Sequence, residues 1–207
     1  MEDILEVYQR SYNEHEVLVC MDETSKQQVK ETRIPIAPEV GMLEKFDYEY
    51  ERNGVSNLFM LFSPLEGWRH VKVTDRHTKI DWAHLIKELM DEHYPKKKII
   101  LVMDNLNTHK LGSLYEAFEP EEARRIAERL EIHFTPKHGS WLDMAEIEIG
   151  VMTRQCLNRR IPDQETLRSE LKAWQEQRNQ KSVRVNWRFT TENARIKLKS
   201  LYPSIQC

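Results

Sequence analysis

Five apolar residues followed by an aspartate occur twice in this sequence, as Val17-Leu18-Val19-Cys20-Met21-Asp22 and as Ile99-Ile100-Leu101-Val102-Met103-Asp104. Continuous rather than alternating apolar residues are typical of strands that are covered on both faces, as in a sheet between layers of helices. Each aspartate is then predicted to lie at the carboxyl end of its strand. Ligands bind at that edge of open α/β sheets, so two such neighbouring strands would bring both carboxylates to one site.

The residues between the two stretches predict a hairpin and a helix. Val55–Phe62 and Trp68–Val73 are rich in aromatic and β-branched residues and are separated by a short turn segment, which is typical of a hairpin. Asp81 is predicted to cap a helix that ends near Tyr94 and leads into the second aspartate-bearing strand.

The rest of the chain is predominantly helical by pattern. The predicted elements are helices at 112–118 and 120–130, a short strand at 132–134, an amphipathic helix from Trp141 to Cys156 and a helix at 163–179. A mixed sheet flanked by helices, the ribonuclease-H-like arrangement, accommodates this order. We therefore predict an α/β fold with a mixed five-stranded sheet. Its divisions are a lead-in at 1–16, a core at 17–158 and a basic helical C-terminal extension at 159–207.

Composition favours one ordered domain. The 207 residues are 40% hydrophobic and 31% charged, which excludes collagen-like and low-complexity classes. No apolar run approaches the roughly 20 residues of a membrane span, and the first residues lack a signal-peptide pattern, so a cytoplasmic protein is expected. Cys20, Cys156 and Cys207 form no C-x-x-C pair, so neither a disulfide framework nor a zinc site is expected.

Charge is distributed unevenly along the chain. The net charge is −3, yet residues 151–207 hold 12 Lys and Arg against 5 Asp and Glu, so this segment carries +7 and the remainder −10. Binding to a phosphate backbone needs clustered cations, and the basic segment could lie along DNA. A solvated helical face with ordinary charges is the open alternative.

Three carboxylates drawn from two strand ends and one helix form a ligand set that suits Mg²⁺, which prefers oxygen donors. Two such ions, about 3.5–4 Å apart, would stabilise both the attacking and the leaving oxygen of a displacement at phosphorus. The spacing alone is a weak signal, because an Asp at a strand end is more often a turn or cap residue than a metal ligand.

Three ordered motifs are far more specific than any single acid. They read Val-Cys-Met-Asp-Glu-Thr at 19–24, Leu-Val-Met-Asp-Asn-Leu-Asn-Thr-His at 101–109 and Thr-Pro-Lys-His-Gly-Ser-Trp-Leu-Asp-Met-Ala-Glu-Ile-Glu at 135–148. Further matching segments lie at 67–71, 159–164 and 201–204. With these motifs the chain resembles bacterial insertion-sequence transposases of the mariner superfamily over most of its length.

The resemblance implies a ribonuclease-H-like fold and a DDE-type metal site that uses Mg²⁺, with Mn²⁺ as a substitute and two bound ions. It also implies metal-dependent excision and integration of a DNA element. Carried over by motif, Asp22 is the first acid, Asp104 the second and Glu146 the third. The protein would be associated with the nucleoid when it is bound to DNA.

The third acid is ambiguous by pattern. Glu146 and Glu148 fall on opposite flanks of the apolar stripe of their helix, so helical phase does not separate them. The resemblance favours Glu146, and Glu148→Ala is expected to retain activity. Asp143 departs from the family, which has Asn at this position, and this extra acid is expected either to perturb metal affinity or to point to solvent.

Four further residues are candidates for contacts with DNA. His109 fits the family's Asp-Asn-x-x-x-His pattern and is predicted to orient a scissile phosphate, with a loop hydrogen bond as the alternative. Lys137, His138 and Trp141 precede the acidic helix, where a cation and an aromatic ring could contact phosphate and a displaced base. A core or capping role for Trp141 stays open.

The expected partners are the transposon ends and target DNA, together with a second copy of the chain in the active complex. Full-length relatives place a helix-turn-helix region before the catalytic domain, and about 16 residues precede the first strand here. Recognition of the ends is therefore expected to need a separate or missing helix-turn-helix region.

Two rival functions remain at this stage. One is a non-catalytic transposase remnant that binds DNA or a full-length transposase as a regulator. The other is a metal-dependent phosphatase, although that chemistry usually needs a second Asp two positions after the first, where this chain has Thr24.

Overall fold

A computed structural model describes residues 1–33, 40–41, 48–137 and 139–202. Two helices continue into a π-helical turn, the helix Lys79–Glu88 at Leu89–His93 and the helix Met144–Met152 at Thr153–Leu157. In chain order the elements are α1 (Glu2–Tyr8), β1 (Glu16–Glu31), β2 (Tyr50–Ser63), β3 (Trp68–Thr74), α2 (Lys79–Glu88), β4 (Lys98–Met103), α3 (Leu111–Ala117), α4 (Pro120–Ala127), β5 (Leu130–Phe134), α5 (Met144–Met152), α6 (Gln164–Gln180) and α7 (Thr191–Lys197).

The described strands form one mixed five-stranded sheet in the order β3-β2-β1-β4-β5, as predicted. β1, β4 and β5 are parallel, whereas β2 is antiparallel to both β1 and β3. The two apolar runs pair directly, from Val17 opposite Ile99 to Met21 opposite Met103. The strands that carry Asp22 and Asp104 are therefore neighbours.

Helices cover both faces of the sheet, which explains the continuous apolar runs. Leu18 and Cys20 point into a core shared with α1, α5 and α6. Val17, Val19 and Met21 point into the opposite core, shared with α2 and α4. Because successive side chains alternate between faces, a strand buried on both sides needs apolar residues at every position.

The predicted helix at 163–179 is α6, and it is part of the main core. Asp163 caps it by accepting a hydrogen bond from the backbone N–H of Thr166 at 2.7 Å. Leu167, Leu171 and Trp174 are buried in the same core as Leu18. The C-terminal extension thus supplies part of the layer over one face of the sheet.

Two helix ends differ from the sequence predictions. Thr78, not Asp81, is the N-cap of α2, and Asp81 is the third helical residue of a capping box in which the two side chains satisfy each other's backbone N–H groups. The helix predicted at 120–130 ends at Ala127, because β5 already begins at Leu130 to pair with β4.

The amphipathic pattern from Trp141 does not form one helix. Trp141 lies in a single 3₁₀ turn, Ser140–Leu142, and α5 begins only at Met144. The interruption is Asp143, whose side chain accepts a hydrogen bond from the N–H of Ala145 and so begins a new helix.

Cys20 and Cys156 are buried free thiols. Cys207 lies outside the described residues. Within the described ranges, no helix combines the length and apolar character that crossing a membrane requires.

Candidate active site

The two aspartates lie where the parallel part of the sheet ends. Pairing between β1 and β4 stops at Met21 and Met103, and the residue that follows each of these two methionines is an aspartate. Asp104 follows the end of β4, as predicted. Asp22 does not end its strand, because β1 continues to Glu31 as the antiparallel partner of β2.

Helix α5 packs against β1 and separates the two candidate glutamates. Glu148 is buried, with Arg69 Nε 2.9 Å from its Oε1. Arg178 donates two hydrogen bonds to the same carboxylate, at 2.7 and 3.1 Å. Glu146, in the first turn of α5, is exposed. Because Glu148 is already paired with two guanidinium groups, its contacts favour Glu146 as the third acid, a choice that helical phase left open.

The electrostatics of Asp22 show that the three predicted acids act on one another. Burial raises the pKa of Asp22 to about 6, against the opposing effect of the Glu23 backbone N–H. The negative charges of Glu23, Asp104 and Glu146 contribute the smaller part of this rise. A cluster of oxygen donors that repel one another in this way fits a divalent cation, which would relieve the repulsion.

Asp143 is a fourth acid beside this cluster, and it is buried rather than directed to solvent. Burial raises its pKa well above the ordinary value, with added repulsion from Asp22, Asp104 and Glu146. One of its oxygens caps α5, and the other has no hydrogen-bond partner within the described part of the chain. Of the two sequence expectations for Asp143, exposure to solvent is wrong.

His109 is placed against the second aspartate and is only 1% exposed. Its Nδ1 lies 2.7 Å from Asp104 Oδ1, and its Nε2 lies 3.1 Å from Glu23 Oε2. Burial alone lowers the pKa of His109, but the contacts with Asp104 and Glu23 raise it to about 9. The ring is therefore a buried cation at neutral pH that holds Asp104 in place.

Glu23 is a site residue that sequence reasoning missed. It lies in β1 beside Asp22, its side chain reaches the opposite side of the strand, and it fixes the far nitrogen of His109. The available signal was the second acid of the Asp-Glu-Thr motif, directly after Asp22.

Two of the remaining DNA-contact candidates, Lys137 and Trp141, lie around this edge. Lys137 is exposed and lines an open hollow together with Asp104 and Ser140. Trp141 is 40% exposed and stacks on Trp187, with ring centroids 6.4 Å apart and planes 21° apart. His138 lies outside the described residues.

Comparison with known proteins places the chain in a family. Residues 17–168 match a family described as DDE superfamily endonuclease. None of the curated proteins matches the chain significantly.

Solved structures of Mos1 transposase share the fold. A paired-end complex with the left transposon end has a TM-score of 0.57 at 14% identity, covering 88% of this chain and 60% of the solved one. A strand transfer complex has a TM-score of 0.56 at 14% identity, with 88% and 58% covered. A mariner paired-end complex with Mn has a TM-score of 0.56 at 15% identity, with 88% and 55% covered. The chain thus spans less than two thirds of the length of these structures.

Proposed function

Because the chain belongs to the DDE superfamily of endonucleases, we propose that it is the catalytic domain of a mariner-type DNA transposase whose metal ligands are Asp22, Asp104 and Glu146. One observation carries this proposal. The parallel part of the sheet ends at two adjacent aspartates, and helix α5, packed against β1, carries an exposed glutamate whose charge raises the pKa of Asp22.

The donor set supports Mg²⁺, with Mn²⁺ as a substitute, and the proposal includes two ions. Solved Mos1 complexes with Mn and with Mg are among the similar structures. Bound at these carboxylates, such ions would activate water and stabilise the leaving oxygen at phosphorus. The protein's own contribution is to place three carboxylates within electrostatic reach of one another, with Asp104 oriented by His109 and His109 by Glu23.

The reaction that we propose has two steps at one site. Hydrolysis breaks a phosphodiester at the element end and frees a 3′-hydroxyl. That hydroxyl then attacks a phosphodiester of target DNA, so one bond to phosphorus forms as another breaks. No covalent protein nucleophile is needed, because water and the DNA hydroxyl are the attacking groups.

Contacts with DNA are proposed on the rim of the site. Lys137 and His138 would hold backbone phosphate, and the exposed face of Trp141 offers a base a surface on which to stack. The buried His109 is assigned to positioning Asp104 rather than to contact with phosphate. A homodimer and a separate helix-turn-helix region for end recognition complete the proposed active complex.

The test is nicking of supercoiled DNA by the purified chain with Mn²⁺. Asp22→Asn, Asp104→Asn and Glu146→Gln should each reduce nicking at least about 100-fold, because each removes a charged ligand oxygen. Glu165→Gln, at an exposed carboxylate on α6, is the matched control and should nick at the wild-type rate.

Two results would count against the proposal. Wild-type nicking by Glu146→Gln would remove Glu146 from the ligand set. A wild-type protein that folds but nicks no DNA would favour the non-catalytic remnant, which binds DNA or a full-length transposase.

A further inference from the structure

A second group of ligand atoms lies away from the acidic cluster. His70 of β3, Glu88 at the end of α2 and His93 in the following π-helical turn each offer an atom, and these atoms all lie within 4.8 Å of one another. His70 Nε2 lies 2.9 Å from Glu88 Oε1. We propose that these three side chains form a binding site for a divalent transition metal, with Zn²⁺ as the best fit.

One of the two imidazoles is unsatisfied without such a ligand. The Nε2 atom of His93 is buried and has no hydrogen-bond partner among the described residues, and the buried Nε2 of His70 meets Glu88 Oε1, a member of the same group. A buried polar atom without a partner costs roughly 1–3 kcal/mol, so such atoms are rare and call for an explanation. A bound cation would use the lone pairs of both nitrogens at once.

Donor chemistry selects the metal. Two imidazole nitrogens and one carboxylate oxygen suit zinc, whereas Mg²⁺ prefers oxygen ligands throughout. In a tetrahedral zinc site, metal–ligand distances of about 2.0–2.1 Å put neighbouring ligand atoms about 3.4 Å apart. The observed grouping therefore needs only a small closure, and three protein ligands leave a fourth position for water or another donor.

The surrounding residues already hold the ligands in place. Lys72 pairs with Oε2 of Glu88, which leaves Oε1 for the site. The ring of Trp68 lies nearly parallel to that of His70, at 6.2 Å and 6°, and also contacts His93 at 4.8 Å. Supporting contacts of this kind orient the ligands of a metal site.

The proposed zinc site is distinct from the acidic cluster. His70 pairs with Leu61, whose side chain lies in the core on the α2 face of the sheet. Asp22 lies on the other face, because side chains alternate and its neighbour Met21 belongs to the α2-side core. Zinc at this site would tie the edge strand β3 to helix α2, independently of the chemistry at Asp22.

The proposal is tested by titrating the purified chain with Zn²⁺ in excess Mg²⁺, with calorimetric detection. The wild type should bind one Zn²⁺ tightly. His93→Gln and His70→Gln should each weaken this binding roughly 100-fold, since each removes one of three ligands. His84→Gln, at an exposed histidine on the same helix, is the control and should bind as the wild type does.

Among the described residues, one other group of potential metal ligands contains a histidine, namely Glu23, Asp104 and His109. The variant Asp104→Asn tests whether zinc binds there instead. Retained zinc binding in Asp104→Asn supports the proposal, whereas its loss there, with normal binding by His70→Gln and His93→Gln, overturns it.

X-ray absorption of the zinc-loaded wild type gives a result that needs no variant. Two imidazole nitrogens and light oxygen donors at about 2.0–2.1 Å are expected. Fewer than two imidazoles in the zinc shell would contradict the site.

Discussion

At the scale of single residues, Asp22 is where burial and repulsion act together. Its carboxylate is surrounded by the charges of Glu23, Asp104 and Glu146, and its pKa is raised to about 6 from an ordinary value near 3.8. Below that ordinary value Asp22 is neutral in both the folded and the unfolded chain. As the pH rises through 6, the folded state must take on a charge that burial and its neighbours oppose, so stability is lost across this window.

We therefore predict that Asp22→Asn stabilises the metal-free protein above pH 6 by about 1–3 kcal/mol, at roughly 1.4 kcal/mol for each unit of pKa shift. The difference from the wild type should shrink as the pH falls from 6 towards 4. Urea denaturation in a series of buffers with EDTA measures it. A difference that stays constant over this pH range, or a destabilised variant, would contradict this account of the cluster.

His109 shows how far a motif can predict a residue's role. The Asp-Asn-x-x-x-His pattern drew attention to it, but spacing could not reveal that both ring nitrogens lie against carboxylates. The ring also packs against that of Trp82 in helix α2, with the two ring centroids 6.1 Å apart. Contacts of that kind arise from tertiary packing, which no local pattern contains.

At the scale of elements, one buried ionic network joins β3, α5 and α6. Arg69 of β3 and Arg178 of α6 meet at Glu148 of α5, and both Arg69 and Glu148 are almost completely buried. Arg69 also donates a hydrogen bond to the backbone oxygen of Val183 at 2.7 Å. Removing one member leaves buried charges unpaired, which is costly in a poorly solvated interior.

Glu148→Gln is therefore predicted to lower the free energy of unfolding by about 3–5 kcal/mol. Glu146→Gln, on the same helix but exposed, should leave stability nearly unchanged while losing nicking. Chemical denaturation and the nicking assay, applied to both variants at a temperature where both are folded, separate the two roles. Equal destabilisation by the two substitutions would show that Glu148 is not a structural ion-pair partner.

The sequence predicted the sheet well where local pattern reports burial. The runs Val17–Met21 and Ile99–Met103 lie in strands covered on both faces, so burial on both sides is visible in the sequence as an unbroken apolar run. The pattern failed after Asp22, because β1 beyond that point pairs only with β2 and its residues are mostly polar and only half-buried. A polar, half-open strand resembles a loop when its partner strand is unknown.

The parts of the structure that could not be predicted depend on pairs distant in sequence. Arg69 and Glu148 come from opposite halves of the chain, and His70 reaches His93 only through the packing of β3 on α2. The lack of a C-x-x-C pair argued against a zinc site, yet that test detects only thiolate ligands that are close together in sequence.

At the scale of the whole molecule, charge and exposure suggest how DNA would lie. In residues 183–190, Val185, Trp187 and Phe189 pack against the core, while Arg184 and Arg188 alternate with them and are exposed. The stack of Trp187 on Trp141 places this segment beside the start of α5. A net negative chain thus presents cations next to the rim of its acidic site, where a phosphate backbone needs them.

If this segment contacts DNA, each phosphate contact should contribute about 0.9 to the slope of log affinity against log salt. Arg184→Gln and Arg188→Gln are therefore each predicted to flatten that slope by about 0.9 and to weaken binding most at low salt. Fluorescence anisotropy with a short labelled duplex, between low and moderate salt, measures both effects. Lys96→Gln is the matched control, because Lys96 is exposed just before β4 and so lies at the opposite end of that strand from Asp104. Counterion release depends on which cations contact phosphate and not on the net charge. An unchanged slope in both arginine variants, or an equal change in Lys96→Gln, would therefore place the DNA on another surface.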